Sequence, residues 1–166
     1  MKTKSNRAII LTTVTLGVLV AITALVLPGC SATKTTIGTT PAPDFSDITI
    51  TIFQSPTWPC CKVWSDYMGK YGFETEAVFV KDTTTIRDKY GIPADLASCH
   101  TALIGDYFIG GHVPIKAIMK LLDENPAIDG IVLPGMPSGS PGMPGPKTEE
   151  FIIYAISDGE VSEFLT

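Results

Sequence analysis

From Asp47 to Phe53 the chain alternates polar with apolar residues, Asp-Ile-Thr-Ile-Thr-Ile-Phe, and its β-branched content predicts a strand ending near Gln54. Ser55, Pro56 and Pro59 break that pattern. Pro59 suits the first turn of a following helix, where its missing N–H would have had no partner. Val63, Trp64, Tyr67, Met68 and Tyr71 then recur at helical spacing, and Gly72 closes the element. A second strand is expected over residues 76–80, and Asp82 is the expected N-cap of a short helix running through Tyr90. After the break at Gly91-Ile92-Pro93, residues 101–104 and 107–109 flank Gly105-Asp106, a dipeptide suited to a two-residue hairpin turn. Ile115, Ile118, Met119 and Leu122 make one face of a further helix that stops before Pro126.

The order is strand, helix, strand, helix, hairpin, helix. With a parallel first pair and an antiparallel closing hairpin, it predicts an α/β, thioredoxin-like core (βαβαββα) of about 80 residues. In such a core the loop after the first strand and the segment before the third meet at one edge of the sheet. That brings Cys60-Cys61 toward Cys99-His100. Past Gly130 the chain changes character: Pro134-Gly135-Met136-Pro137 and Pro141-Gly142-Met143-Pro144 form a short repeat in a segment too rich in Pro and Gly for regular structure. Residues 151–156 and 161–165, joined by a turn at Asp158-Gly159, predict a C-terminal β-hairpin extension packed on the core as an addition to it.

The N-terminus follows another pattern. Ala8 to Leu27 is an uncharged run of 20 residues preceded by Lys2, Lys4 and Arg7, which reads as a signal or membrane-anchor segment. Leu27-Pro28-Gly29-Cys30-Ser31 resembles a bacterial lipoprotein cleavage box, with Cys30 as the lipidated first residue of the mature chain; the alternative is an uncleaved anchor. Either way the positive end stays inside and the remainder is exported and membrane-tethered in the cell envelope, on the periplasmic or extracytoplasmic side. Residues 31–46 are rich in Thr, Ser, Pro and Gly and read as a tether. The division expected is therefore 1–30 as leader or anchor, 31–46 as linker and 47–166 as the folded domain.

Charge reinforces that division. All 17 acidic residues lie at or beyond Asp44, against 8 basic ones in the same stretch, so the exported part is acidic and nucleic acid is excluded as a partner.

With Cys30 set aside, the domain keeps three cysteines. Cys60 and Cys61 fall in the first turn of a helix, where the dipole and free N–H groups favour thiolate, a nucleophile and a soft metal ligand. A thiol–disulfide enzyme uses Cys-x-x-Cys at such a place, whereas the position three before Cys61 is Trp58. Bridging Cys60 or Cys61 to Cys99 is geometrically possible, and in an exported protein would be a plain staple. Metal binding asks less of spacing. Two adjacent thiolates and a third from a neighbouring loop select Cu(I), or Zn²⁺ where a fourth ligand closes a tetrahedron. His100, His112, Met136 and Met143 are further candidate ligands. Each also has a plainer role: loop hydrogen bonding for His100, helix capping for His112, core packing for the methionines.

Ser55 to Trp64 (Ser-Pro-Thr-Trp-Pro-Cys-Cys-Lys-Val-Trp), Gly91-Ile92-Pro93, residues 98–102 (Ser-Cys-His-Thr-Ala), residues 110–114 (Gly-Gly-His-Val-Pro) and residues 134–143 together resemble the CopG-type metal-binding proteins. These are small exported bacterial proteins of thioredoxin-like fold associated with copper resistance. The resemblance spans roughly residues 48–164. It implies Cu(I) bound by cysteines of a Cys-x-Cys-Cys motif and by the cysteine of Ser-Cys-His, which match Cys60, Cys61 and Cys99. Trp58 stands where the first family cysteine is expected, so one thiolate of four is absent and a single Cu(I), rather than a cluster, is implied. The expected function is to sequester Cu(I) or hand it to another copper-handling envelope protein, as a binding protein rather than an enzyme. The alternative is a thiol–disulfide oxidoreductase or copper-reducing protein, with Cys61 attacking and Cys99 resolving.

Overall fold

A computed structural model describes residues 44–166. The expected leader, the lipidation site Cys30 and most of the expected linker lie outside the described residues. Strand β1 (Thr49–Gln54) leads into helix α1 (Pro59–Gly69), followed by β2 (Glu74–Phe79), α2 (Thr83–Lys89) and a single 3₁₀ turn at Ala94–Leu96. Then come β3 (His100–Ile104), β4 (Tyr107–Gly110), α3 (Ile115–Glu124), β5 (Gly130–Val132), β6 (Ile153–Ser157) and β7 (Glu160–Leu165). The seven strands form one mixed sheet in the order β2-β1-β3-β4-β5-β6-β7. β1 runs parallel to β2 and β4 parallel to β5, and the other neighbours are antiparallel. Among the described residues no helix is long and apolar enough to cross a membrane.

Local chemistry accounts for most of these elements. Asp82 caps α2, its carboxylate accepting from the Thr84 N–H at 2.9 Å. Gly105 takes φ +57° at the β3–β4 turn, and α3 stops at Asn125, whose left-handed φ of 41° lets its N–H reach the Leu121 carbonyl before Pro126.

Period-two alternation then sorts side chains between the two faces of the sheet. Ile50, Ile52, Ala102, Ile104, Ile109, Ile131, Ile153 and Ala155 point to the face covered by Trp64 and Met68 of α1 and Ala117, Ile118 and Leu121 of α3. Phe108, Val132 and Ile156 point the other way, against Ile92 and Leu96. Full burial of each large apolar side chain contributes about 1.5–3 kcal/mol.

The structure changes three expectations. The C-terminal hairpin is no addition packed on the core: β5, unmarked in the sequence just before the Pro/Gly-rich segment, pairs with both β4 and β6 and continues the sheet into β7. The buried stripe of α1 is Cys61, Trp64 and Met68, while Val63 and Tyr71 are exposed, because the thiol at 61 takes a core position that the apolar pattern had not assigned. On α3, Ala117 and Leu121 join Ile118 in the core, and Ile115, Met119 and Leu122 lie at its margin. Ahead of β1, the ring of Phe45 stacks on that of Phe73 at 4.3 Å.

Candidate metal centre

The antiparallel pairing of β1 with β3 sets the last residue of β1, Gln54, opposite the first residue of β3, His100. The chain leaving β1 and the chain entering β3 therefore lie at the same end of the sheet, and this is what joins the first turn of α1 to Cys99. Pro59 is the first residue of α1, so Cys60 and Cys61 follow at its second and third positions. Trp58 occupies the N-cap without a capping side chain, which leaves the first-turn N–H groups and the positive end of the helix dipole to the two sulfurs.

Cys99 is the hub. Its Sγ lies 3.5 Å from Cys61 Sγ, 3.1 Å from His100 Nδ1 and 2.8 Å from His112 Nε2. Candidate donor atoms fall into two triads that share Cys99, namely Cys60, Cys61, Cys99 and Cys99, His100, His112, with every pair in a triad within 4.8 Å. A metal–sulfur bond of about 2.3 Å at a tetrahedral angle sets two sulfurs about 3.8 Å apart, so the Cys61–Cys99 spacing suits a shared ion with little movement. Cys61, Cys99, His100 and His112 are buried, and Cys60 is half-buried at the rim. Trp64 walls the site, its ring 4.7 Å from that of His100 and its Nε1–H donating to the Val113 carbonyl at 3.0 Å.

The protons are distributed unevenly. The side-chain contact with Cys99, aided by His100, holds Cys61 down to about 4, against the opposing effect of burial. That same contact and burial push Cys99 far above the ordinary thiol range, while burial and the neighbouring Cys61 raise Cys60. Cys61 is thus the thiol of the cluster that ionises most readily. Burial, then the adjacent His100, lowers His112, so its ring is neutral and offers a lone pair.

Which nitrogen offers it follows from a single contact. His112 Nδ1 lies 2.7 Å from the Pro141 carbonyl, which can only accept, so Nδ1 carries the hydrogen and Nε2 faces Cys99 bare. The second Pro-Gly-Met segment supplies that carbonyl. Its Gly142, at φ +88°, packs so closely that an added Cβ would meet the Cys60 carbonyl at 2.9 Å and His112 Nδ1 at 3.2 Å. The first Pro-Gly-Met segment ties down the Cys99 loop: Gly135 N–H donates to the Ala97 carbonyl at 2.9 Å, and the Ser98 hydroxyl donates to the Gly135 carbonyl.

The structure thus brings together Cys60, Cys61, Cys99, His100 and His112. Met136 is 46% exposed and Met143 half-buried, both on the loop that borders the cluster. Lys62, in the first turn of α1, turns to solvent and pairs with Asp66 at 2.8 Å, a contact worth about 0.3–0.5 kcal/mol. Sequence reasoning missed Pro141 and Gly142 as supports of His112. The Pro-Gly-Met repeat had marked the segment without saying what its backbone does.

Residues 96–143 match the family described as "Protein of unknown function, DUF411". Two solved structures, described as "Copper resistance protein copG- Form 2" and "Copper resistance protein copG- Form 1", each share 30% identity with this chain. The first covers 71% of this chain and 96% of its own with a TM-score of 0.66, and the second 70% and 94% with a TM-score of 0.65. No curated protein matches the sequence.

Proposed function

Because the chain belongs to the CopG-type copper-resistance family, we propose that it binds Cu(I) through Cys60, Cys61 and Cys99, sequestering the ion or passing it on. The observation that carries this reading is the convergence on Cys99 Sγ of a second sulfur and two imidazole nitrogens within 3.5 Å. Sulfur donors favour Cu(I) over hard cations, and a neutral imidazole is compatible with Cu(I) and Zn²⁺ alike. Burial of four of the five residues strips water from the ion, and the half-buried Cys60 gives it a way in and out. With Trp58 at the position of the first family cysteine, we assign one Cu(I) per chain. A thioredoxin-like core is the matching reading of the fold, supported by the order β2-β1-β3-β4 with β3 antiparallel to β1.

Titrating the protein with Cu(I) against a competing chelator tests the assignment. One ion is expected to be withheld from the chelator by the wild type and surrendered by a Cys60→Ser/Cys61→Ser double variant; equal affinities in the two proteins would sink it.

The Cys61–Cys99 spacing of 3.5 Å also favours a second reading, a thiol–disulfide or copper-reducing activity, since a bond of about 2.05 Å needs only a short approach. A Cys61–Cys99 disulfide that forms and is reduced in step with turnover of a disulfide substrate would select it over simple binding.

We place the domain outside the cytoplasmic membrane, tethered through Cys30 or the preceding apolar run, where a copper-handling envelope protein would be its partner. Intact-mass measurement on membrane-extracted protein checks this. A chain beginning at a lipid-modified Cys30 is the expected product, an unmodified chain beginning at Met1 indicates the retained anchor, and recovery in the soluble cytoplasm overturns the placement.

A further inference from the structure

One edge of the sheet ends on β2, and little covers it. Of its six residues only Val78 is even partly buried, and Phe79 is 64% exposed, the most exposed large apolar side chain among the described residues. Glu74 N–H donates to the Ile48 carbonyl at 3.2 Å and Val80 N–H to the Gln54 carbonyl at 3.0 Å, so the even-numbered residues turn their backbone groups toward β1. Alternation leaves the N–H and C=O groups of Thr75, Ala77 and Phe79 facing outward, with no strand beside them among the described residues.

The same alternation sends the side chains of Thr75, Ala77 and Phe79 to the face that α1 covers, where the Ser65 hydroxyl bonds that of Thr75 at 2.9 Å. Ala77 and Phe79 line a groove of about 530 Å³ there with Pro56, Trp58, Pro59 and Ser65, and Trp58 is itself 41% exposed. Pro59 immediately precedes Cys60, the half-buried cysteine at the rim of the metal centre, so a segment lying in the groove lies beside that rim. On the opposite face of β2, Glu74 and Glu76 are exposed, and neither has an ion-pair partner among the described residues. The other open edge, β7, carries exposed Glu160 and Glu163, so pairing of these edges between two copies sets acid against acid.

We propose that β2 and this groove are a docking surface for an extended, basic segment of a partner protein. The segment pairs with the outward N–H and C=O groups of Thr75, Ala77 and Phe79, sets Lys or Arg side chains beside Glu74 and Glu76, and lays its alternate, apolar side chains along Ala77, Phe79 and Trp58. Main-chain pairing supplies affinity for any strand, and the two carboxylates select the charge of the occupant. That the partner exchanges copper at Cys60 rests on the Cu(I) reading above, whereas the docking surface does not.

The test titrates the full chain with a synthetic peptide that alternates Lys with Val, and with the same peptide carrying Glu in place of Lys, while amide hydrogen exchange is followed along β2. The Lys peptide is expected to slow exchange at Thr75, Ala77 and Phe79 and to bind about 10-fold more tightly than the Glu peptide, an order that Glu74→Lys/Glu76→Lys reverses. Phe79→Ser is expected to weaken the Lys peptide about 10-fold while withholding Cu(I) from a chelator as the wild type does. Equal affinity for the two peptides, or unchanged exchange at those three amides, overturns the proposal. So does protection of the same amides before any peptide is added, which would mean that a second copy or another part of this chain already covers the edge. If the double variant does not fold, the two peptides on the wild type decide. If the wild type takes up no Cu(I), the copper reading fails and the peptide titrations still decide the docking surface.

Discussion

Cys99→Ser is expected to lower Cu(I) affinity by at least about 100-fold, exceeding the 10–100-fold range for loss of a group that merely orients a ligand. The reason is the position of Cys99 where the two donor triads meet. Removing its sulfur takes the common member from both sets and puts a hard oxygen beside a soft ion. It also changes the state of Cys61, because the contact with Cys99 is the main influence lowering the Cys61 thiol. Cys60→Ser should be milder, since Cys60 sits half-buried at the rim and belongs to one of the two triads only. Competition titration of both variants, with circular dichroism to confirm that each is folded, makes the comparison. Equal losses at the two positions would show that Cys99 is not the centre of the site.

Gly111→Ala is expected to be the most destabilising small change near the site, costing about 2–5 kcal/mol from left-handed strain and overpacking together. Gly111 holds φ +75°, and a Cβ there would lie 2.6 Å from Ser98 Cβ and 2.7 Å from the Leu133 carbonyl oxygen. Neither neighbour can yield easily. Leu133 is anchored by its N–H to the Gly110 carbonyl at 2.9 Å, and the Ser98 hydroxyl is bound to Gly135. A domain with a net stability of about 5–15 kcal/mol would lose a large share of it. The midpoint of denaturant unfolding should fall accordingly with the slope unchanged. Because Ser98 precedes Cys99 and Gly111 precedes His112, the same variant should weaken metal binding; an unchanged midpoint would mean that the backbone there is slack.

The parts legible in the sequence were those written in local chemistry. The alternation of residues 47–53, the Asp82 cap and the Gly105 turn each encode their element within a few residues, and the structure carries all three. The meeting of Cys60-Cys61 with Cys99-His100 was legible too, because the strand order alone puts both segments at one end of the sheet. Strand β5 was not. Three residues, Gly-Ile-Val, show no period, and what makes them a strand is pairing with β4 on one side and β6 on the other. The backbone carbonyl of Pro141 could not be found from side-chain chemistry, since any residue would have supplied one.

The grip of the second Pro-Gly-Met segment on His112 also bears on when the site comes into being. Cys61 and Cys99 are 38 residues apart, His112 needs the carbonyl of a residue 29 positions beyond it, and that residue's loop is held in place by a strand closed from both sides. Such long-range closures form late, after the loop entropy they require has been overcome. A chain still emerging from a ribosome therefore has its cysteines before they are gathered into one cluster. Metal binding at this cluster is then a property of the finished fold, and an incomplete chain would not hold the ion.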